Sequence, residues 1–177
     1  MKYYTGIGSR ETPPGICAEM ISISIWLANK DYVLRSGHAF GADMAFEHGA
    51  EFGKKEIYIP WHGFNNAGKG MLHTNFIVPR FADEWIHESV NTFHPSPSSL
   101  TQGAWKMMAR NACQVLGLHG VTPSKFVICW TKEAKFVGGT SQAMRIAQHH
   151  DIPIINMARE EFSTAIKVIE VLKKGVI

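Results

Sequence analysis

Cysteine is scarce in this chain of 177 residues: Cys17, Cys113 and Cys129 are the three present. They lie far apart, each in an apolar helix- or strand-like run. A disulfide framework is therefore excluded, and buried free thiols in a reducing compartment are expected. There is no Cys-x-x-Cys, no His-Glu-x-x-His and no paired Cys/His cluster. His149 and His150 are adjacent and cannot share one helix face, so neither a metal nor any other cofactor is expected. No apolar run approaches the ~20 residues that a membrane-spanning helix needs, and no secretory leader is seen. A cytoplasmic protein with no membrane partner is the expectation. Charge is also modest, at 19% of residues with a net of +3. The basic residues are scattered, with Lys54-Lys55 and Lys173-Lys174 the densest points. That permits an anionic small ligand and disfavours nucleic acid, for which a concentrated basic stripe is expected.

The chain does have ample apolar material, 45% of residues, enough for one domain spanning 1–177 to bury an ordinary core. Strand-like and helix-like patterns alternate. Residues 2–7 read as a strand, Pro13-Pro14 open a helix to about Lys30, and 32–35 read as a second strand. A helix from Gly41 to Phe52 and a strand over 56–60 follow. Residues 61–100, rich in Gly, Asn, His, Pro, Ser and aromatics, break the rhythm and predict an irregular, partly helical insertion. Helices near 101–117, 140–150 and 160–173 then alternate with strands at 125–130 and 152–156. This alternation predicts an α/β fold, a three-layer Rossmann-like domain with a mainly parallel sheet of five or more strands.

Chemistry concentrates where strands hand over to helices, because open α/β sheets bind ligands outside the carboxyl ends of their strands. The first such turn is Gly6-Ile7-Gly8-Ser9-Arg10. The second runs Ser36-Gly37-His38-Ala39-Phe40-Gly41-Ala42-Asp43. The third, Gly138-Gly139-Thr140-Ser141-Gln142, opens a helix beyond the run ending at Trp130. Glycine allows close backbone approach, and free N–H groups at a helix start attract phosphate. A dinucleotide fingerprint is absent: Glu11 stands at the third glycine position, and the second strand ends in Arg35-Ser36 instead of an acid. The candidate ligand-binding residues are Gly6, Gly8, Ser9, Arg10, Ser36, Gly37, Gly41, Asp43, Trp130, Gly138, Gly139, Thr140 and Ser141. Glu11, Asp43 and Glu47 are carboxylates near the expected site, for which capping or structural roles are the competing reading. Trp61 and Trp130, beside strand ends, are candidates to stack a base.

The motifs Gly6-x-Gly8-Ser9-Arg10, Leu34-Arg35-Ser36-Gly37-His38-Ala39-x-Gly41-Ala42-Asp43 and Cys129-Trp130-Thr131 leading to Gly138-Gly139-Thr140 resemble the SLOG superfamily. That group includes DNA-processing protein A, the "Lonely guy" phosphoribohydrolases and nucleotide-sensing domains of antiphage defence. The first two motifs look most like DNA-processing protein A, and the chain also resembles small phage-encoded members. The resemblance implies a nucleotide-sized ligand and a homodimer or higher oligomer. The phosphoribohydrolases carry a glutamate at the position of Gln142, and an Arg-Lys pair where this chain has Arg110-Asn111. Candidate catalytic residues are thus Gln142, Arg110, Asp43 and Glu47, with the binding apparatus retained and the catalytic part altered. Three functions stay open: a binder of a nucleotide or nucleotide-derived signal, a nucleotide N-glycosidase, and a single-stranded DNA binder.

Overall fold

A computed structural model describes residues 1–50, 54–68 and 75–175. Among them are six strands: β1 Lys2–Gly6, β2 Tyr32–Ser36, β3 Lys55–Tyr58, β4 Phe76–Ile77, β5 Val127–Cys129 and β6 Ile154–Asn156. The helices are α1 Pro14–Ala28, α2 Ala42–Gly49, α3 Glu84–Phe93, α4 Gln102–Leu116, α5 Thr140–His149 and α6 Ala165–Lys173. The strands form one sheet in the order β4-β3-β2-β1-β5-β6, and every pairing is parallel. Strand order reverses between β1 and β5. This is the three-layer Rossmann-like arrangement that the alternating pattern predicts.

The period of two along each strand sorts the side chains into two cores. Tyr4, Leu34, Ile57, Ile128 and Ile155 face α1, α2 and α6, where they meet Met20, Ile23, Leu27, Phe46 and Val168. Val127 and Cys129 face the other way, onto Ala112 and Val115 of α4 and Ala143 and Ile146 of α5. Tyr58 packs on the same side, with Ile86 and Val90 of α3. Each fully buried aliphatic side chain contributes roughly 1.5–3 kcal/mol, so the sheet is clamped from both faces as parallel sheets require.

Several expectations shift. The insertion at 61–100 supplies α3 and also a sixth, edge strand, β4, too short for its pattern to register in sequence. Helix α2 ends at Gly49, with Ala50 extended, and the rest of the span expected to run to Phe52 lies outside the described residues. The last helix starts at Ala165, after a 3-10 turn, so that Ile166 faces solvent and Val168 fills the core. Helix α5, expected over 140–150, ends at His149, with His150 exposed at its C-cap. On α4 the residues Arg110 and Gln114 are buried, although polar side chains of this size usually face solvent.

Candidate functional site

A cleft of about 540 Å³ opens at the carboxyl ends of β1 and β5, where strand order reverses. Its first wall is the turn after β1. Ile7 N–H donates to the Ile128 carbonyl (3.1 Å) and Ser9 N–H to the Trp130 carbonyl (3.0 Å), carrying the β1–β5 ladder past the strand ends. The chain then folds back: the Ser9 carbonyl accepts from the Thr12 hydroxyl at 2.7 Å. Ser9 Oγ accepts from Glu11 N–H at 3.0 Å, which leaves its own proton free to donate. Gly8 is required here, since a Cβ would stand 2.6 Å from Ala42 Cβ and 2.9 Å from the Trp130 carbonyl oxygen.

The floor comes from α2 and α4. Asp43 lies in the first turn of α2, yet the cap position is Gly41 with no side-chain cap bond. Its carboxylate instead accepts from Gly8 N–H (3.2 Å) and Ala39 N–H (3.5 Å), tying the first two turns together. Arg110 Nη1 completes the set at 3.5 Å, and both partners are about 4% exposed. Burial pushes the Asp43 carboxyl above its ordinary range, with Arg110 and the two N–H donors opposing. Burial likewise lowers the Arg110 guanidinium, with Asp43 opposing. Asp43 is thus held by Arg110 and two backbone N–H donors.

Helix α4 also supplies the second wall. Ala104, Met107, Met108 and Asn111 recur at helical spacing along the cleft, next to Arg110 and Gln114. Beside it lies the segment after β5. Thr131 is held by Asn156: its N–H donates to Asn156 Oδ1 (3.3 Å) and its hydroxyl accepts from Asn156 Nδ2 (2.7 Å). Lys132, Val137, Gly138, Gly139 and Thr140 continue the lining. At the start of α5, Ser141 and Gln142 N–H groups turn back onto the Gly138 and Gly139 carbonyls. That leaves the N–H groups of Gly139 and Thr140 with no intrahelical acceptor, as at any helix start. Two amides staple this turn to α4. Asn111 Nδ2 donates to the Gly139 carbonyl at 3.0 Å, and Gln142 Nε2 donates to the Met108 carbonyl at 3.2 Å.

Of the residues singled out in sequence, Gly8, Ser9, Arg10, Asp43, Arg110, Gly138, Gly139 and Thr140 share this cleft. The others, Glu11 apart, lie outside its lining. Gly6 packs under Phe46 and Leu34, and Ser36 donates to the Gly6 carbonyl at 2.7 Å. Gly41, at φ +80°, lies against the Ser9 and Arg10 carbonyls. Gly37 lies against Arg110 and Gln114. Ser141 is buried, donating to the Gly138 carbonyl at 2.6 Å. Trp130 contributes its backbone to the Ser9 turn. Gln142 is buried against α4, and Glu47 pairs with His38 Nδ1 at 2.7 Å. Glu11 reaches the cleft, while Trp61 packs edge-on to Phe64. Met107, Met108, Asn111, Gln114, Thr131 and Lys132 also line the cleft, though sequence reasoning did not name them as site residues. The signal for the α4 members was there, in polar residues spaced three and four apart beside an apolar stripe. Among the described residues, no group of three or more His, Cys, Asp or Glu could hold a metal ion. Nor is any described helix long and apolar enough to cross a membrane.

No family model matches the chain, and no curated protein matches it. Among solved structures, DNA processing protein A from Helicobacter pylori, described for its single-stranded DNA binding mode, is similar at 19% identity. The match covers 98% of this chain and 73% of that one, with a TM-score of 0.58. The Moco carrier protein of Chlamydomonas rheinhardtii matches at 13% identity, over 99% of this chain and 86% of that one, with a TM-score of 0.49. The first of these likenesses shows a shared fold.

Proposed function

We propose that this protein binds a nucleotide or nucleotide-derived anion in the β1–β5 cleft, as a carrier or sensor. The observation that carries this reading is a lining of two kinds in one cleft. The free N–H groups of Gly139 and Thr140, the Ser9 hydroxyl and the Lys132 ammonium suit a phosphate. Beside them, Met107, Met108 and Ile7 offer an apolar surface suited to a base. A volume of about 540 Å³ is in the range of small-molecule sites. Binding is favoured over glycoside cleavage because the two carboxylates of the lining are Glu11 and the arginine-paired Asp43. Gln142 uses its amide donor on Met108 and stands behind the lining. The test is calorimetric titration with nucleoside mono- and diphosphates, monitored for released base. Saturable binding without base release is expected; no binding by any of them ends the reading.

A second reading, single-stranded DNA binding, is favoured by one observation. Phe40 (54% exposed) and Trp61 (41% exposed) flank the ends of β2 and β3, near the exposed Arg10. Bases stack on such rings and phosphates follow such cations, and the similar DNA processing protein A is described with a single-stranded DNA binding mode. Retention of an oligonucleotide that weakens steeply with salt would support it.

A further inference from the structure

Strand β6 is the last of the sheet, and among the described residues no strand pairs with its outer side. Val127 N–H donates to the Pro153 carbonyl and Met157 N–H to the Cys129 carbonyl, each at 2.8 Å. Backbone direction alternates along a strand, so Ile154 and Asn156 aim their N–H and carbonyl groups away from β5. The Asn156 carbonyl takes Arg159 N–H at 3.0 Å, which leaves the Asn156 N–H and both backbone groups of Ile154 on the open edge. Beside this edge runs a groove of about 390 Å³, with Phe136, Met144, Ile152 and Ile154 as its large apolar lining. Phe136 is 39% exposed. An unpaired edge next to an apolar groove is the arrangement that takes up an added strand.

Charge points to the occupant. Asp151 stands exposed where the chain enters β6 and Arg159 where it leaves, each four residues from Ile155. Both also line the groove, and neither forms a salt bridge with a described residue. We propose that the β6 edge joins a second copy of this chain, strand against antiparallel strand, across a two-fold axis near Ile155. In a two-fold interface each contact occurs twice with the roles exchanged. Asp151 of each copy then comes beside Arg159 of the other, at both ends of the joint. A parallel alignment would set Asp151 near Asp151 and Arg159 near Arg159, which like-charge repulsion disfavours. Between the charged ends, the Ile154 carbonyl of each copy accepts the Asn156 N–H of the other, and the groove is covered. Both β6 edges are used up, so association stops at two copies.

The experiment is sedimentation velocity on the wild type, on Asp151→Arg, on Arg159→Asp, and on an equimolar mixture of the two variants. Melting curves confirm that each folds. The wild type is expected to show a concentration-dependent monomer–dimer equilibrium. Each single swap sets like charges together at both ends, so its dimer dissociation constant should rise about tenfold or more. The mixture restores opposite charges at both ends, so a heterodimer should form with near wild-type affinity. A wild type that stays monomeric up to about 1 mM overturns the proposal. So does a dimer that both single variants keep, because it must use another face. Weakened variants whose mixture also stays monomeric overturn the antiparallel contact, and the proposal with it. Asp151 has a left-handed backbone, φ 52°, and Asp151→Asn suits that conformation if Asp151→Arg does not fold. It should weaken the dimer about threefold or more; a dimer as tight as the wild type's would overturn the proposal.

Discussion

The Arg110 guanidinium occupies the space that a side chain on Gly37 would need: Nη1 lies 1.5 Å from the position of an added Cβ. Gly37 is not in a left-handed conformation, so this glycine is required for close approach alone. Gly37→Ala is expected to expel Arg110 from its pair with Asp43 and leave a buried carboxylate uncompensated. Breaking a buried pair in this way costs about 3–5 kcal/mol. Chemical denaturation of a double-mutant cycle checks the cause. Gly37→Ala should cost clearly less in an Arg110→Ala background than in the wild type. Equal costs in both backgrounds would show that the guanidinium is not what the methyl displaces.

The first and third glycine turns, and the parallel sheet that aligns them, are legible in sequence because each depends on local signals: apolar alternation, proline at a helix start, and glycine at a strand end. Residue placement within the site was less legible, for a reason visible at α4. Arg110, Asn111 and Gln114 are buried, where charged and amide side chains usually are not. Arg110 and Gln114 fill the space left by the missing side chain of Gly37, just past the end of β2. That is a relation between residues some seventy positions apart: the spacing on α4 marks a polar row but does not report what the row packs against. Gln142 shows the converse case. Its position in the motif suggested a group facing ligand, but the structure turns its amide onto the Met108 carbonyl.

That amide contact makes a prediction about charge. Gln142→Glu removes the donor to Met108 and, when ionised, sets a carboxylate against a carbonyl oxygen. The variant should be less stable than the wild type by about 1–3 kcal/mol at pH 7. Burial raises the pKa of the new carboxyl above its unfolded value of about 4.3. The stability held by its protonated form is complete below the unfolded value and is lost as pH rises through the folded one. The gap in melting temperature between variant and wild type should therefore shrink on going from pH 8 to pH 5. A gap independent of pH would mean that the side chain has left the α4 contact.

Four buried groups set the alkaline limit of the fold. Burial pushes the Cys113 and Cys129 thiols up from 9.0 to about 12. Burial also raises the Tyr4 and Tyr58 hydroxyls, with the neighbouring Glu56 adding to the shift at Tyr58. All four bind protons more tightly folded than unfolded, so their contribution is whole below pH 9 and drains away as pH rises toward 12. Melting temperature should fall steadily above pH 9. At pH 8 a thiol of pKa about 12 is ionised in roughly one molecule in 10⁴. Iodoacetamide should accordingly leave Cys113 and Cys129 unmodified in the folded chain and reach them only on unfolding. Rapid native-state labelling of either would contradict the burial described.

Gly8 and Gly139 face the same cleft but make opposite demands, and alanine separates them. At Gly8 a methyl would press on Ala42 Cβ at 2.6 Å and on the Trp130 backbone at 2.9 and 3.1 Å. Neither can move without parting β1 from β5 or shifting α2. Gly8→Ala is expected to destabilise by about 1–3 kcal/mol or more through overpacking. Gly139 has helical dihedrals, φ −64° and ψ −33°, and its methyl would meet only Met108 Cε, at 3.3 Å, the mobile end of a flexible side chain. Gly139→Ala should leave stability within about 1 kcal/mol of the wild type. Its methyl would nonetheless stand between the Met108 wall and the first N–H groups of α5, where the phosphate is proposed to sit. Nucleotide affinity should then fall in a variant that melts normally. Unchanged affinity in Gly139→Ala would move the phosphate away from the α5 turn and toward Arg10 and Lys132.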